Sequence, residues 1–172
     1  DCNFGLESTV LDMTEEVPMI LRPGSITKEE LEKLIGEVNL DPSLEKKEDN
    51  IKAKAPGMKY THYSPNAEVY IVSGEQTNVI DKINTLTEEN NDKNLKTCVI
   101  CLKCNEKQYI GKTICLGETL EDVASNLFDA LIQADEEKCD IIYSEYFTNE
   151  GIGCAIMNRL LKSAGYKIIG AW

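Results

Sequence analysis

The chain has 172 residues, of which 42% are hydrophobic and 28% charged, and its formal net charge is −12. This composition suits one ordinary globular domain, or one domain with part of another. The acidity argues against direct binding of tRNA or another nucleic acid, because neutralising phosphates requires clustered Lys and Arg. No apolar run approaches the roughly 20 residues that span a bilayer, and no signal-peptide pattern is present, so we expect a cytoplasmic protein without a membrane anchor.

The first part of the chain contains two short predicted strands, 7–11 and 19–21, and one predicted helix. The helix begins at Thr27, which forms a capping box with Glu30, and ends at Gly36. Three apolar side chains share one face of this helix: Leu31, Leu34 and Ile35. Two strands and a helix cannot bury their apolar faces alone, so we expect this part to be the end of a larger domain.

The next part, residues 37–66, shows no apolar periodicity at its start. Asp41-Pro42 and the charged run 45–50 are typical of a linker. The run 55–65 then carries the only histidine of the chain, two tyrosines and a lysine between two prolines. The prolines favour an extended, ordered segment that can clamp a ligand. The alternative is a linker held to a surface by its tyrosines.

Residues 67–172 alternate predicted strands with predicted helices. The strands are expected at 69–72, 97–102, 113–116, 140–144 and 167–169. The first helix is expected at 77–89 and the third at 152–163. The second is a long helix that Thr119 caps together with Asp122. The second helix is expected to bury Leu120, Val123, Leu127, Leu131 and Ile132. This alternation predicts right-handed crossovers in a small Rossmann-like, or flavodoxin-like, α/β domain with a mostly parallel sheet.

Seven cysteines raise the question of metal or disulfide chemistry. Cys98, Cys101 and Cys104 match part of an iron–sulfur ligand run, but Gln108 stands where the fourth cysteine would fall. Alternation along a strand places Cys98 and Cys101 on opposite faces, so they would not converge on one ion. We therefore predict buried, free cysteines rather than metal ligands or disulfides.

A glycine turn follows the predicted strand at 140–144. Gly151 and Gly153 match the first two glycines of a dinucleotide fingerprint, but Ile156 occupies the third position. Glu145 and Glu150 flank the turn and would repel a phosphate. We therefore predict glycines that serve the turn itself. A flavin or nucleotide enzyme that uses this turn is the alternative.

Four motifs stand in a fixed order along the chain: DCNFGLESTVLD at 1–12, ILRPGSIT at 20–27, GMKYTHYSP at 57–65 and AIMNRLL at 155–161. Together they resemble the threonylcarbamoyl-AMP synthase family in its long form. Members of that family join a catalytic YrdC-like domain through a linker to a smaller Rossmann-like domain. Because the chain starts at Asp1, inside the first motif, we expect a fragment of a longer protein.

The resemblance implies three parts. Residues 1–36 would be the C-terminal end of the YrdC-like catalytic domain, residues 37–66 a linker with a lid-like motif, and residues 67–172 the Rossmann-like domain. Since the smaller domain of the family is not itself catalytic, we expect this chain alone to be inactive. The remaining alternative is a non-enzymatic flavodoxin-like module that binds a ligand or a protein and regulates.

The resemblance also implies a reaction. Members of the family condense ATP, L-threonine and bicarbonate, with Mg²⁺, into L-threonylcarbamoyl-AMP and pyrophosphate. Downstream tRNA-modification proteins use this product to form N6-threonylcarbamoyladenosine at position 37 of tRNA. The family uses no catalytic triad, and we assign no catalytic or metal-binding residue to this chain.

Individual site residues follow from the same motifs. Ser8 matches the family serine that contacts threonine, and Arg22 matches the arginine that meets the ATP phosphates. A guanidinium fork suits phosphate oxygens, although a surface arginine at a strand end is the plain alternative. Tyr63 matches the linker tyrosine that reaches ATP, with Lys59 and His62 beside it in the lid-like motif.

Overall fold

The structure is a computed structural model that describes residues 5–44 and 64–172. The strands are β1 (Val10–Asp12), β2 (Met19–Arg22), β3 (Asn39–Leu40), β4 (Glu68–Gly74), β5 (Thr97–Cys101), β6 (Lys112–Cys115), β7 (Ile141–Glu145) and β8 (Ile168–Ala171). The helices are α1 (Lys28–Ile35), α2 (Gln76–Asp92), α3 (Leu120–Glu136) and α4 (Ile152–Ser163), with short 3₁₀ helices at Pro42–Leu44 and Glu106–Gln108. We call residues 5–44 the first segment and residues 64–172 the sheet domain.

The sheet domain is built on five strands in the order β6-β5-β7-β4-β8, and every neighbouring pair is parallel. Helix α2 packs on one face, while α3 and α4 pack on the other. The predicted α/β class with a mostly parallel sheet is confirmed. Within the described part of the chain, no helix combines the length and apolar character needed to cross a bilayer.

The sheet separates two apolar cores, and β5 is buried on both faces. Cys98 belongs to the core under α3 and α4, whereas Cys101 belongs to the core under α2. This confirms the expected alternation of the two cysteines. The stripe of α3 that faces the core consists of Val123, Ala124, Leu127, Ala130, Leu131 and Ala134. Ile132 is 42% exposed, so its predicted burial is wrong: it lies beside that stripe rather than in it.

The first segment forms its own small sheet, in which β1 pairs antiparallel with β2 and β2 pairs parallel with β3. The predicted capping box is confirmed, because the Glu30 amide donates to Thr27 Oγ1 at 3.3 Å and the Thr27 amide donates to Glu30 Oε2 at 2.9 Å. Gly36 ends α1 at φ 86°. On the apolar side of α1, Leu31 is half-buried, whereas Leu34 is 80% exposed and Ile35 is 43% exposed.

Residues 37–44, which the sequence assigns to the linker, are structured. They contain β3 and a 3₁₀ helix, and Val38 is fully buried while Leu44 is 7% exposed. The sequence does not predict this, because two buried apolar side chains are too few to show a period and a charged run follows them.

Packing joins the first segment to the sheet domain. Leu6 is 8% exposed and belongs to the core that α3 and α4 cover. A Cβ at Gly5 would lie 2.4 Å from the carbonyl oxygen of Ser125 in α3, so the backbone there touches the helix directly. The residues just before Ser8 are therefore held by the sheet domain.

Cys98 and Cys139 are joined by a disulfide that ties β5 to the turn before β7, with the Cα atoms 6.0 Å apart. The prediction that no cysteine forms a disulfide is wrong for this pair, whereas Cys101, Cys104, Cys115 and Cys154 form none. The prediction of burial is confirmed for Cys98, Cys101 and Cys139. It is wrong for Cys104, which is exposed, and Cys115 and Cys154 are half-buried. Sequence spacing did not reveal the pair because only the parallel sheet brings the two chain positions together.

We expect a thiol-labelling reagent to leave Cys98 and Cys139 unmodified in protein denatured without reductant, and to modify both after reduction. The disulfide, not burial, would then be the cause of protection. Cys101 is the internal control, because it is equally buried in the same strand but unbonded. Peptide mapping by mass spectrometry checks this. Equal labelling of Cys98 and Cys101 without reductant contradicts the bond.

Candidate functional site

Two of the residues singled out from sequence meet at the edge of the first segment. Arg22 ends β2, and Ser8 lies just before β1, the antiparallel neighbour of β2. The Nε atom of Arg22 donates a hydrogen bond to the carbonyl oxygen of Ser8 at 3.0 Å. Ser8 is exposed and Arg22 is half-buried. The bond fixes the plane of the guanidinium beside the exposed serine.

The loop after β2 shapes the backbone on which Ser8 sits. A Cβ at Gly24 would lie 2.3 Å from the Glu7 carbonyl oxygen and 2.4 Å from the Thr9 amide nitrogen, so only glycine fits. The Thr9 hydroxyl donates to the Ile26 carbonyl at 2.7 Å and accepts from the Ile26 amide at 3.2 Å. These contacts explain why β1 begins at Val10 rather than at the predicted residue 7. Before Val10, Thr9 bonds to the loop after β2 instead of joining the hydrogen-bond ladder between β1 and β2.

This arrangement can bind, but it does not supply a nucleophile. A guanidinium offers several N–H donors in one plane, which suits the oxygens of a phosphate or carboxylate. A serine hydroxyl both donates and accepts, and so suits a small polar molecule. The serine and arginine together therefore fit a polar, partly anionic ligand. The lid-like residues Lys59, His62 and Tyr63 lie outside the described residues.

A second candidate location is the carboxyl edge of the parallel sheet, where open α/β sheets bind ligands. The structure places Glu145, the last residue of β7, at this edge with an exposed fraction of only 2%. Four donors surround its carboxylate: Tyr109 Oη at 2.6 Å, Asn105 Nδ2 at 2.8 Å, the Leu102 amide at 3.1 Å and Gln76 Nε2 at 3.2 Å. These donors follow β4 and β5, so one carboxylate ties three strand ends together.

The network also changes the chemistry of its neighbours. Burial, followed by the hydrogen bond to Glu145, raises the pKa of Tyr109 far above its usual range. Burial, with the nearby charge of Glu145, raises the pKa of Cys101 to about 12. Neither group titrates near neutral pH, so both act as fixed donors or packing groups. The crevice that such sheets offer to ligands is filled here by the chain itself.

The sequence places Glu145 only as a charge beside the glycine turn. It does not predict that the carboxylate is buried and accepts four hydrogen bonds. The signal in the sequence is a carboxylate that follows the apolar run 141–143 with only Ser144 between them. A charge at the end of a strand buried on both sides must find partners, because burying an unpaired carboxylate is costly. The identity of those partners was not visible in the sequence.

The glycine turn before α4 has a structural role in the described chain. Gly151 is the N-cap residue of α4 at φ 55°, and a Cβ at Gly153 would lie 2.3 Å from the Thr148 carbonyl oxygen. The Gly151 amide donates to Glu29 Oε1 at 3.4 Å. Hydrogen bonds from its own amide and from Gly151 lower the pKa of Glu29. A carboxylate of the first segment thus takes the position where a phosphate would bind.

A cavity of about 410 Å³ lies between the first segment and α4. Its described lining contains no charged side chain and consists of Leu40, Leu44, Tyr146, Asn149, Cys154, Met157, Asn158, Leu161, Tyr166 and Ile168. Such a lining does not suit a polyphosphate, which needs cationic partners. The Ser8–Arg22 edge is therefore the better candidate for an anionic ligand.

Fold and site together define a class of protein: a parallel α/β domain to which a short strand pair presenting a serine and an arginine is firmly packed. Residues 26–165 match the family model described as "Threonylcarbamoyl-AMP synthase, C-terminal domain". That match covers more than half of the chain. The chain belongs to this family, as its motifs predicted.

Relatives carry the same family name. The threonylcarbamoyl-AMP synthase of Pyrococcus abyssi (strain GE5 / Orsay) is 42% identical over 169 residues, which cover 98% of this chain and 48% of that protein. The threonylcarbamoyl-AMP synthase of Bacillus subtilis (strain 168) is 40% identical over 169 residues, covering 96% of this chain and 47% of that protein. The chain thus spans about half the length of these curated relatives.

Solved structures give the same result. The crystal structure of Pyrococcus abyssi Sua5 complexed with L-threonine matches with a TM-score of 0.90 and 41% identity, over 99% of this chain and 49% of that one. A variant of P. abyssi Sua5, in which an adjacent histidine and tyrosine are replaced by alanine, matches with a TM-score of 0.89 and 40% identity, over 99% of this chain and 48% of that one.

Proposed function

We propose that this chain is part of an L-threonylcarbamoyl-AMP synthase, an enzyme that joins ATP, L-threonine and bicarbonate and releases pyrophosphate. The observation that carries the proposal is the 3.0 Å bond between Arg22 and Ser8, which sets an anion-binding fork beside a hydroxyl. The named relatives and the threonine complex of P. abyssi Sua5 support it. The product would serve tRNA-modification proteins in the cytoplasm.

Each residue of the edge has a proposed role. Ser8 binds the threonine substrate through its hydroxyl, and the terminal nitrogens of Arg22 bind the phosphates of ATP. Displacement of pyrophosphate at the α-phosphate needs positioning and charge stabilisation more than a covalent nucleophile. The arginine fork supplies charge, and its bond to the Ser8 carbonyl fixes the distance between the two substrates.

Mg²⁺ is proposed to arrive as part of the ATP substrate. Across residues 5–44 and 64–172, no three His, Cys, Asp or Glu side chains come together as a metal site. In nucleotide sites, Mg²⁺ commonly keeps several waters and binds the phosphate oxygens of the substrate, with only one or two carboxylates from the protein. Tyr63, with Lys59 and His62, is proposed to contact ATP. In the P. abyssi Sua5 variant, an adjacent histidine and tyrosine are replaced by alanine, and His62 and Tyr63 are likewise adjacent in this chain.

The sheet domain is proposed to support the site rather than to bind a substrate. Its carboxyl edge is filled by Glu145 and the donors around it, and its glycine turn is bonded to Glu29. At the same time its core holds Leu6, two residues before Ser8. The domain therefore contributes by fixing the backbone that carries the site.

We expect the protein that includes the N-terminal half found in the relatives to release pyrophosphate only when MgATP, threonine and bicarbonate are all present. The present chain alone should release none, because it offers one wall of a nucleotide site. An ATP–pyrophosphate assay on both proteins tests this. Turnover without threonine by the longer protein would refute the proposed reaction. Turnover by the present chain alone would refute the division of the site.

A further inference from the structure

The cavity between the first segment and α4 has no part in the proposed reaction, and its walls combine apolar and polar side chains. Leu40 and Leu44 line it from the first segment, and Met157 and Leu161 line it from α4. Its volume of about 410 Å³ lies within the range of small-molecule sites in proteins. An apolar space of this size between two packed layers suits a flat molecule of one or two rings.

Asn158 brings an amide group into this apolar lining. The residue is only 7% exposed, and its Nδ2 atom donates one hydrogen bond, to the Leu44 carbonyl oxygen at 3.4 Å. Among the described residues, no group donates a hydrogen bond to its amide oxygen. A buried amide with unused hydrogen-bonding capacity costs free energy. The oxygen and the second N–H of Asn158 are therefore available to a molecule in the cavity.

Tyr166 adds a second polar group to the lining. Helix α4 ends in a Schellman motif, in which the Tyr166 amide donates to the Leu161 carbonyl at 2.8 Å and Gly165 is left-handed at φ 56°. Tyr166 itself is also left-handed, at φ 64°, a conformation that bulky residues rarely adopt. Within residues 5–44 and 64–172, its hydroxyl has no hydrogen-bond partner. Because burial raises the pKa of Tyr166, this hydroxyl is a protonated donor at neutral pH.

Charge and polarity together narrow the class of ligand. No charged side chain is among the described lining residues, so an ion would lose its water in the cavity without gaining a partner. A purely apolar molecule would leave the Asn158 amide and the Tyr166 hydroxyl unpaired. A carboxamide matches the neighbouring donor and acceptor atoms on the edge of a heterocyclic base, as asparagine does with adenine.

We propose that this cavity binds a small, uncharged, planar heterocycle of the nucleobase type, with its ring against the apolar side chains and its polar edge bonded to Asn158 and Tyr166. The site shares no described lining residue with the Ser8–Arg22 edge, and it goes beyond the proposed function. Since its walls come from both the first segment and the sheet domain, a bound ligand stabilises the packing between them.

The test is binding of adenine, which is uncharged at neutral pH, to the whole chain with isotope-labelled methionine methyl groups. We expect a dissociation constant on the order of 0.1–1 mM, as for about ten non-hydrogen atoms of moderate ligand efficiency. In NMR spectra, adenine should shift the methyl resonance of Met157, which is 1% exposed and lines the cavity. Met13, which is 59% exposed and is not part of the lining, should not shift.

Two variants test the polar contacts. Tyr166→Phe removes only the hydroxyl and should weaken adenine binding by about three- to tenfold. Tyr70→Phe is its matched control, because the Tyr70 hydroxyl bonds to Glu68 at 2.6 Å, and its affinity should stay within about twofold of wild type. Asn158→Leu keeps the volume but removes the amide, and should weaken binding about tenfold or more. Thermal unfolding of each variant separates loss of binding from loss of the fold.

Two further probes separate this site from a dry void and from an anion site. Toluene has no polar edge, and benzoate is a planar anion of similar size. Both should shift Met157 less than adenine does at equal concentration, because neither satisfies the polar groups without a desolvation cost.

Three results would overturn the proposal: an unshifted Met157 at millimolar adenine, equal affinity of Tyr166→Phe and Tyr70→Phe, or tighter binding of toluene or benzoate than of adenine. The probe comparison needs only the wild-type chain, so it decides even if a variant fails to fold. No phosphate or product is measured, and the outcome is therefore independent of the pyrophosphate assay on the longer protein.

Discussion

Replacing Glu145 by alanine is expected to lower the free energy of unfolding by about 3 kcal/mol, because it leaves several buried donors without their acceptor. Tyr109 and Asn105 are 7% and 6% exposed, so water cannot readily replace the lost carboxylate. The Leu102 amide loses its partner in the same step. For a chain of this length we expect the melting temperature to fall by about 6–12 °C.

The measurement is urea unfolding of wild type and variants, with melting temperature as a second readout. Glu150→Ala is the matched control, since Glu150 is an exposed carboxylate five residues away and should change stability by less than about 0.5 kcal/mol. Glu145→Gln keeps the shape but presents an amide group to one donor, so an intermediate loss of about 1.5 kcal/mol is expected. A Glu145→Ala protein as stable as the Glu150→Ala control would show that the carboxylate does not hold the three strand ends.

Arg22→Ala is expected to weaken nucleotide binding by about 1.5–3 kcal/mol, the range for a lost hydrogen bond to a charged group. This corresponds to roughly 10- to 150-fold in affinity. The Nε atom of Arg22 is bonded to the Ser8 carbonyl at 3.0 Å. In the proposed role, the two terminal nitrogens of the guanidinium would donate to two phosphate oxygens at once. Calorimetric titration of the longer protein with a nonhydrolysable ATP analogue measures the effect.

Two variants sharpen that experiment. Arg22→Lys keeps the charge but loses the fork and the Nε bond, so its affinity should lie between wild type and Arg22→Ala. Lys93→Ala removes an exposed positive charge at the end of α2 and should leave affinity within about twofold of wild type, since such a charge is screened by salt. If Arg22→Ala binds the analogue as tightly as Lys93→Ala, Arg22 does not contact the phosphates.

Local signals in the sequence predicted the elements well. Both capping boxes, at Thr27 and at Thr119, form as their spacing indicates, because a cap depends on residues three positions apart. Helix α4 covers Ile152–Ser163, the range that its periodicity predicts. The alternation of strands and helices likewise predicted a mostly parallel sheet, since such a connection must cross over a face.

The order of the strands was not available from these local signals. In the sheet, β7 lies between β5 and β4, although it follows both in the chain. This order brings the end of β7 next to the loops after β4 and β5, and so gives Glu145 its donors. A sequence shows that a strand ends in a carboxylate, but strand order decides what that carboxylate meets.

The sequence by itself determined the α/β class and the helix caps, because each depends on residue types at short, fixed spacing. Its motifs also carried the family resemblance from which Ser8 and Arg22 are proposed as site residues. Only the tertiary structure decided the Cys98–Cys139 pair, the burial of Glu145 and the bond between Gly151 and Glu29. The physical reason is the same in all three cases. These contacts join residues far apart in the chain, and their existence depends on how strands and helices pack rather than on local propensity.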